Sequence, residues 1–339
     1  MKAFALLAAA ILLSACGSPH GTAGSLTSPR SVPAGTASSS RQESPLPTLS
    51  PVPSSPGVIA DKTFSVLVKF NCRLPVRLEG DDRTVPGFLD LSNGHFASDP
   101  AAPVGAKAYS WIGKRWLSVG PEMLAPDGKH YTYQGPDGVH NVDLVTGADR
   151  TVLSNPPGVL LQYADDGIYL SKYGAYAGHL GLWRLNPQTA ELTQVLPESV
   201  AFDELGSGAA WYIEPRSEAP TPSTLYRIDL TTRQRQVWFS QPNIWVVHLG
   251  TDPLGRPLVG WIDLQTSGDT TIATMTAAGQ STVIQRGPQE TVPWLVAATD
   301  SHGLWFRSGQ AKWPLWLLQP NDQVITVAQA GVQPLGACN

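Results

Sequence analysis

Trp116-Leu117-Ser118-Val119-Gly120-Pro121-Glu122-Met123-Leu124, the turn Ala125-Pro126-Asp127-Gly128-Lys129, His130-Tyr131-Thr132-Tyr133 and Val139-His140-Asn141-Val142-Asp143-Leu144 read as three strands in succession. A polar turn, Val145-Thr146-Gly147-Ala148, leads to a fourth strand through Thr151-Val152-Leu153. Short apolar runs bounded by Gly, Pro, Asn and Asp are the pattern of strands joined by tight turns, and no segment after Thr63 keeps a helical period.

Aligning the later runs with this one shows the same four-strand unit again. Third strands end at Val142-Asp143-Leu144, Trp183-Arg184-Leu185, Ile228-Asp229-Leu230, Ala273-Thr274-Met275 and Trp316-Leu317-Leu318. Their separation is roughly 41 to 46 residues, the period of a propeller blade. A second landmark keeps step with the first: the turn between strands one and two recurs at Asp165-Asp166-Gly167, Gly206-Ser207-Gly208, Asp252 to Arg256 and Asp300 to Gly303. Upstream, Cys72 to Leu78, Gly87 to Leu91, His95 to Ser98 and Lys107 to Ile112 supply four strands of a divergent first blade. The reading is an all-β propeller of four-stranded antiparallel blades, six in number. The extra run Phe64 to Phe70 either pairs with the edge of another blade or belongs to a seventh.

Composition agrees with that fold. The chain has 339 residues, 42% of them hydrophobic, with 32 Gly, 30 Pro and 11 Trp, which suits many short strands and turns. Trp183, Trp211, Trp261 and Trp305 fall inside strands and read as packing between blades. Charged residues are only 15%, the net charge is -4 and no Lys or Arg run exists to track a phosphate backbone, so nucleic acid is not an expected partner. The three cysteines, Cys16, Cys72 and Cys338, make no metal-ligating pair. Cys72 in the first blade and Cys338 near the C-terminus are placed to join the ends of a ring as a disulfide outside the cytoplasm.

The N-terminus reads as an address. Lys2, the apolar run Ala3 to Leu13 and the small residues before Cys16 have the shape of a cleavable export signal over residues 1–15. Leu13-Ser14-Ala15-Cys16 resembles the lipobox of bacterial lipoproteins, which implies that Cys16 carries lipid and anchors the protein to a membrane facing the extracytoplasmic side. Residues 16–58 are dominated by Ser, Pro, Thr, Gly and Ala, too few large apolar groups to offset the entropy of ordering, so a disordered tether is expected before a propeller spanning 59–339.

Ala125-Pro126-Asp127-Gly128-Lys129-His130-Tyr131-Thr132-Tyr133 resembles the S-P-D-G-K-x-x-x-Y repeat of TolB-type, WD40-like propellers of the bacterial envelope. The resemblance implies an exported propeller that binds other molecules. Its Asp-Gly pair marks a hairpin turn.

No G-x-S-x-G, H-E-x-x-H, P-loop or G-x-G-x-x-G motif is present, and no cofactor or metal is expected. His20, His95, His130, His140, His179, His248 and His302 are scattered without ligand spacing. The face carrying the loops between strands two and three is the expected contact surface. Its longest loops run Ser171 to His179 and Glu214 to Glu218, making Tyr173, Tyr176, His179, Arg216 and Glu218 the candidate ligand contacts, with Trp313 joining them. The expected function is a binding module for an envelope protein, a glycan or a small ligand. Two other readings stay open: a metal-dependent, lactonase-like hydrolase at the channel mouth, and a structural partner in an envelope assembly.

Overall fold

The computed structural model describes residues 61–79, 84–171, 181–198, 200–206, 208–214, 223–252, 254–263, 269–288, 292, 295–307 and 314–339. All lie in one compact unit, Ser54–Asn339. They form a six-bladed antiparallel propeller with no helix beyond a single 3-10 turn, Pro121–Met123. Blades are numbered here from the N-terminus and strands from the channel outward.

Blades 3, 4 and 5 have the expected order: Val159–Ala164, Gly167–Ser171, Leu182–Leu185 and Leu192–Leu196 in blade 3; Glu204–Gly206, Ala209–Ile213, Thr224–Asp229 and Arg235–Ser240 in blade 4; Ile244–Thr251, Pro257–Asp263, Asp269–Ala277 and Gln280–Pro288 in blade 5. Blade 6 adds a fifth strand: outside Leu295–Asp300, Gly303–Arg307, Leu315–Leu318 and Val324–Gln329 lies Ser65–Val66. The run Phe64 to Phe70 thus pairs with the edge of another blade, and the ring has six blades.

Two strand assignments are corrected. Blade 1 takes its innermost strand, Val332–Pro334, from the C-terminus, followed outward by Arg73–Glu79, Thr84–Asp90, His95–Ser98 and Asp61–Thr63. Lys107 to Ile112 gives Ala108–Ser110, which pairs with Arg115–Leu117 in a separate hairpin. That hairpin is held by the C-terminal tail, through Tyr109 N–H to the Leu335 carbonyl at 2.8 Å and the Trp111 indole to the Ala337 carbonyl at 2.7 Å. Trp116 to Leu124 is likewise not one strand. Pro121 lacks the N–H that a ladder needs, the chain turns through Pro121–Met123, and only Leu124 bridges to Tyr131 beside the three-stranded sheet His130–Gly135, Gly138–Asp143, Asp149–Leu153.

The turn between the third and fourth strands shows why the repeat is so regular. Asp90, Asp143, Asn186 and Asp229 stand at the same place in four blades, and each side-chain oxygen accepts the N–H two residues on, at 2.7 to 3.0 Å. In each, the backbone N–H four residues on bonds back to the carbonyl of the same Asx residue. That fourth residue is left-handed: Gly94 (φ 80°), Gly147 (77°), Ala190 (61°) and Arg233 (59°). An Asx turn followed by a left-handed residue satisfies the donors that the reversal would orphan, and glycine suits the last position.

Between blades the faces interdigitate as large apolar clusters. At the seam of blades 4 and 5, Trp211, Leu225, Phe239, Ile244, Val246, Val259 and Met275 are all buried. Trp211 and Trp305 are 1% and 0% exposed, and Trp183 and Trp261 pack half-buried against neighbouring clusters, as their strand positions require. Each such side chain contributes about 1.5–3 kcal/mol by removal from water.

Cys72 and Cys338 form a disulfide across a sequence separation of 266 residues, with Cα atoms 5.6 Å apart. Asp300, in the turn between the first two strands of blade 6, accepts the Cys338 N–H and the Trp305 indole N–H, both at 2.7 Å, and so fixes the tail beside that bridge.

Two outcomes are expected. Ala190→Gly and Arg233→Gly each raise stability by about 1 kcal/mol, because glycine removes the left-handed penalty, whereas Gly147→Ala, where a methyl group meets nothing within 4 Å, lowers it by a similar amount. Thermal melts of the three variants check this, and equal signs for all three would refute it. Replacing Cys72 and Cys338 together by serine lowers unfolding free energy by about 5.5 kcal/mol in the chain-entropy model for a loop of 266 residues. Denaturant titration with and without reductant measures it, and a reductant-insensitive midpoint in the native protein would contradict the assignment.

Candidate functional site

The six residues singled out as ligand contacts, Tyr173, Tyr176, His179, Arg216, Glu218 and Trp313, lie outside the described residues, as does Cys16. What the described residues place on the same face is a group at the seam of blades 4 and 5. Glu214 is the last described residue before the segment that holds Arg216 and Glu218.

This group is built by two innermost strands. Glu204 opens the first strand of blade 4 and stands opposite Trp211 on the second. His248 lies on the first strand of blade 5, its ring 5.9 Å from that of Trp211. The two strands come together because glycine permits it. A methyl group on Gly206 would sit 2.7 Å from Thr251 Oγ1, too close for a side chain to fit unmoved, and Gly250 adopts φ 131°, a conformation that other residues rarely take. Glu204 Oε2 is 3.7 Å from His248 Nδ1.

Beside them opens a recess of about 410 Å³ lined by Asp203, Ile213, Glu214, Trp245, Val247 and His248. Trp245 is 38% exposed, unlike the tryptophans inside the blades. Asp203 reaches solvent within the recess, yet the surrounding blades desolvate it and push its carboxyl up to about 6, against a hydrogen bond from the Ile213 N–H at 2.9 Å. Burial pushes Glu204 further, to about 7, although Thr251 hydrogen bonds to it oppose the rise. Burial drives His248 the other way, to about 4, so its imidazole is neutral at physiological pH. Its side chain is 1% exposed and its Nε2 has no hydrogen-bond partner.

Glu214 is already engaged. It accepts the Tyr226 hydroxyl at 2.9 Å and pairs with Arg235 at 3.3 Å, while the Arg235 guanidinium lies 3.8 Å from the centre of the Tyr226 ring. Asp203 and Glu204 therefore have no cation among the described ion pairs. Among the described residues no three or more His, Cys, Asp or Glu side chains form a group able to hold a metal ion.

Two other polar groupings are self-contained. In blade 2, Asp137 in the turn before Gly138–Asp143 and Asp149 on the outermost strand flank His140 at 2.8 and 2.9 Å, and Asp149 also accepts the Tyr133 hydroxyl. Burial opposes protonation of His140, but the two carboxylates outweigh it and raise its pKa. On the opposite face, recesses of about 200 and 360 Å³ surround the turn at Asp165 and Asp166, where Asp166 is held by Arg184 at 2.8 Å and by the Tyr169 hydroxyl at 3.0 Å.

Sequence reasoning did not single out these residues. His248 was one of seven scattered histidines, and Asp203, Glu204 and Trp245 carry no motif. The available signal was Phe202-Asp203-Glu204-Leu205, which sets two carboxylates where the blade alignment demands an inner strand.

The carboxyl shift has a testable sign. Glu204 binds its proton more tightly when folded, so the stability it brings is full below its ordinary value of 4.5 and is lost as pH rises toward about 7. Glu204→Gln removes that loss. The variant is expected to match the native protein near pH 4.5 and to exceed it at pH 8 by on the order of 3 kcal/mol, at about 1.4 kcal/mol per tenfold change in proton affinity. Asp203, which titrates in the same direction, and His248, which opposes it, remain in both proteins. Urea unfolding of both at the two pH values decides the matter, and a stability difference that does not change with pH would rule out a raised Glu204.

No family model and no curated protein matches the chain. Solved structures show a distant likeness. An oligogalacturonate lyase in complex with manganese is 15% identical, with TM-score 0.47, covering 80% of this chain and 78% of its own. TolB from Acinetobacter baumannii is 12% identical, with TM-score 0.48, covering 80% and 68%. An oligogalacturonate lyase from Vibrio parahaemolyticus is 10% identical, with TM-score 0.47, covering 80% and 79%. These likenesses extend to no ligand or activity of this chain.

Proposed function

We propose that this protein is an extracytoplasmic lipoprotein, anchored through lipid on Cys16, whose propeller is a binding module using the face of the strand-two to strand-three loops. The observation that carries the reading is the recess at the seam of blades 4 and 5, where an exposed indole, Trp245, lies beside the solvent-reaching carboxyl of Asp203. An aromatic surface next to a partly desolvated polar group is the composition of a recognition site. The Cys72–Cys338 disulfide supports a location outside the reducing cytoplasm. Cys16 and the Ser/Pro/Thr-rich stretch after it supply the anchor and tether of this reading.

The test has two arms. Cys16→Ser is expected to move the protein from the membrane fraction to the soluble fraction; retention in the membrane would remove the lipid anchor from the reading. Full-length protein in neutral detergent is then screened against glycans, peptides and small organic ions. A ligand whose affinity falls about tenfold in Trp245→Ala, at an unchanged melting temperature, is the expected result. If every ligand found is bound equally by that variant, the recess is not the binding site.

A further inference from the structure

His140 has a carboxylate on each ring nitrogen. It lies on Gly138–Asp143 of blade 2, opposite Tyr133 on the preceding strand and Thr151 on the outermost one, so the three side chains share one face of the sheet. Its Nε2 is 2.8 Å from Asp137 Oδ1, and its Nδ1 is 2.9 Å from Asp149 Oδ1. An ionised carboxyl group only accepts, so both contacts are hydrogen bonds only when both nitrogens carry protons, as in the imidazolium. The neutral ring has one N–H. Its other nitrogen would turn a lone pair on a carboxylate.

The surroundings settle which contact gives way. Asp149 is held a second time, by the Tyr133 hydroxyl at 2.7 Å. Burial, with that bond, pushes Tyr133 up to about 12, so it stays a donor, and its ring stacks on the imidazole with centroids 4.4 Å apart. Asp137 has only the Thr151 hydroxyl besides, at 3.0 Å, and is 61% exposed in the turn that joins the strands His130–Gly135 and Gly138–Asp143. The charged groups acting on His140 are these two carboxylates. Beyond Tyr133 stand Tyr131, which burial raises, and Arg115 of the neighbouring hairpin; both keep their protons near neutrality.

We propose that His140 is a pH-operated latch on this turn: as imidazolium it ties Asp137 to Asp149 on the outermost strand, and on giving its Nε2 proton to solvent it keeps Asp149 and frees Asp137 with the turn. The turn is one of the strand-two to strand-three loops, so the latch shapes part of the face proposed for binding. It stands on the geometry of blade 2 and not on the recess. Burial disfavours the charged ring, but the carboxylates outweigh it and raise its pKa. The latch is therefore closed below the ordinary histidine value of 6.5 and opens as pH rises through the raised one.

Full-length protein in neutral detergent, labelled at histidine Cε1, is titrated by NMR, with His140→Gln identifying the signal. The midpoint is expected above 6.5, and Asp137→Asn is expected to lower it, because a carboxylate is lost while the amide can donate to neutral Nε2. Hydrogen exchange over residues 134–143, corrected for the intrinsic pH dependence of exchange, is then compared at pH 6 and pH 9. In the native protein protection is expected to fall about fivefold at the higher pH, the scale of a partly exposed charged hydrogen bond. In both variants it is expected to be the same at the two pH values. A native midpoint at or below 6.5, native protection that does not change with pH, or the native pH dependence persisting in the variants would each overturn the latch.

Discussion

Everything in this structure depends on how the ring is closed. A propeller blade has an apolar face on either side and is stable only when both are covered, so the first and last blades must meet. Here the meeting is made from both termini. Val332–Pro334 becomes the innermost strand of blade 1, while Asp61–Thr63 and Ser65–Val66 add to the outer edges of blades 1 and 6. Two short strands and one inner strand are weak alone, since each contributes only a few ladder bonds. The disulfide and Asp300 convert them into a fixed closure: the bridge holds the tail to blade 1, and Asp300 joins the Cys338 N–H to Trp305 in blade 6.

The seam between blades 4 and 5 departs from the apolar pattern. Below Trp211 the contact is made by Leu225, Phe239, Val246 and Met275, but toward the channel it becomes Glu204, His248 and Thr251. Desolvation sets the protonation of the first two against their ordinary behaviour, one carboxyl held partly neutral and one imidazole held wholly neutral near pH 7. Hydrophobic side chains of similar size would pack the same place without that penalty. A local violation of the packing rule, next to an accessible recess and in a fold otherwise consistent from turn to core, is the kind of departure that marks a functional site.

Much of the architecture was legible because two independent turn signals recur in step. Asp143, Asn186 and Asp229 mark the outer turn in three successive blades, and Asp166, Asp252 and Asp300 mark the inner one, so the blades aligned without any motif of function. The misread places are those where long-range pairing decides the outcome. Lys107 to Ile112 has the alternation of a fourth blade strand, but the innermost position read for Cys72 to Leu78 is taken by a segment more than two hundred residues away, which moves each following strand outward by one and leaves Lys107 to Ile112 outside the blade, and no local pattern reveals this. Trp116 to Leu124 reads as apolar and continuous until Pro121 is weighed as a missing donor. The candidate site was not legible, because the convergence of Asp203, Glu204 and His248 is created by the approach of two strands about 45 residues apart, an interval set by the blade period.

The closure and the recess are connected through preorganisation. A site on mobile loops has to be ordered at the moment of binding, and that entropy weakens affinity. Asp203, Trp245 and His248 instead sit on or beside innermost strands, each hydrogen-bonded within a four-stranded blade and wedged between neighbouring blades. Their geometry is inherited from the ring. A locked ring can also hold the Glu204 carboxyl in a desolvated place that a looser scaffold would relax by letting water in. Ring closure thus supplies the rigid wall on which these residues stand.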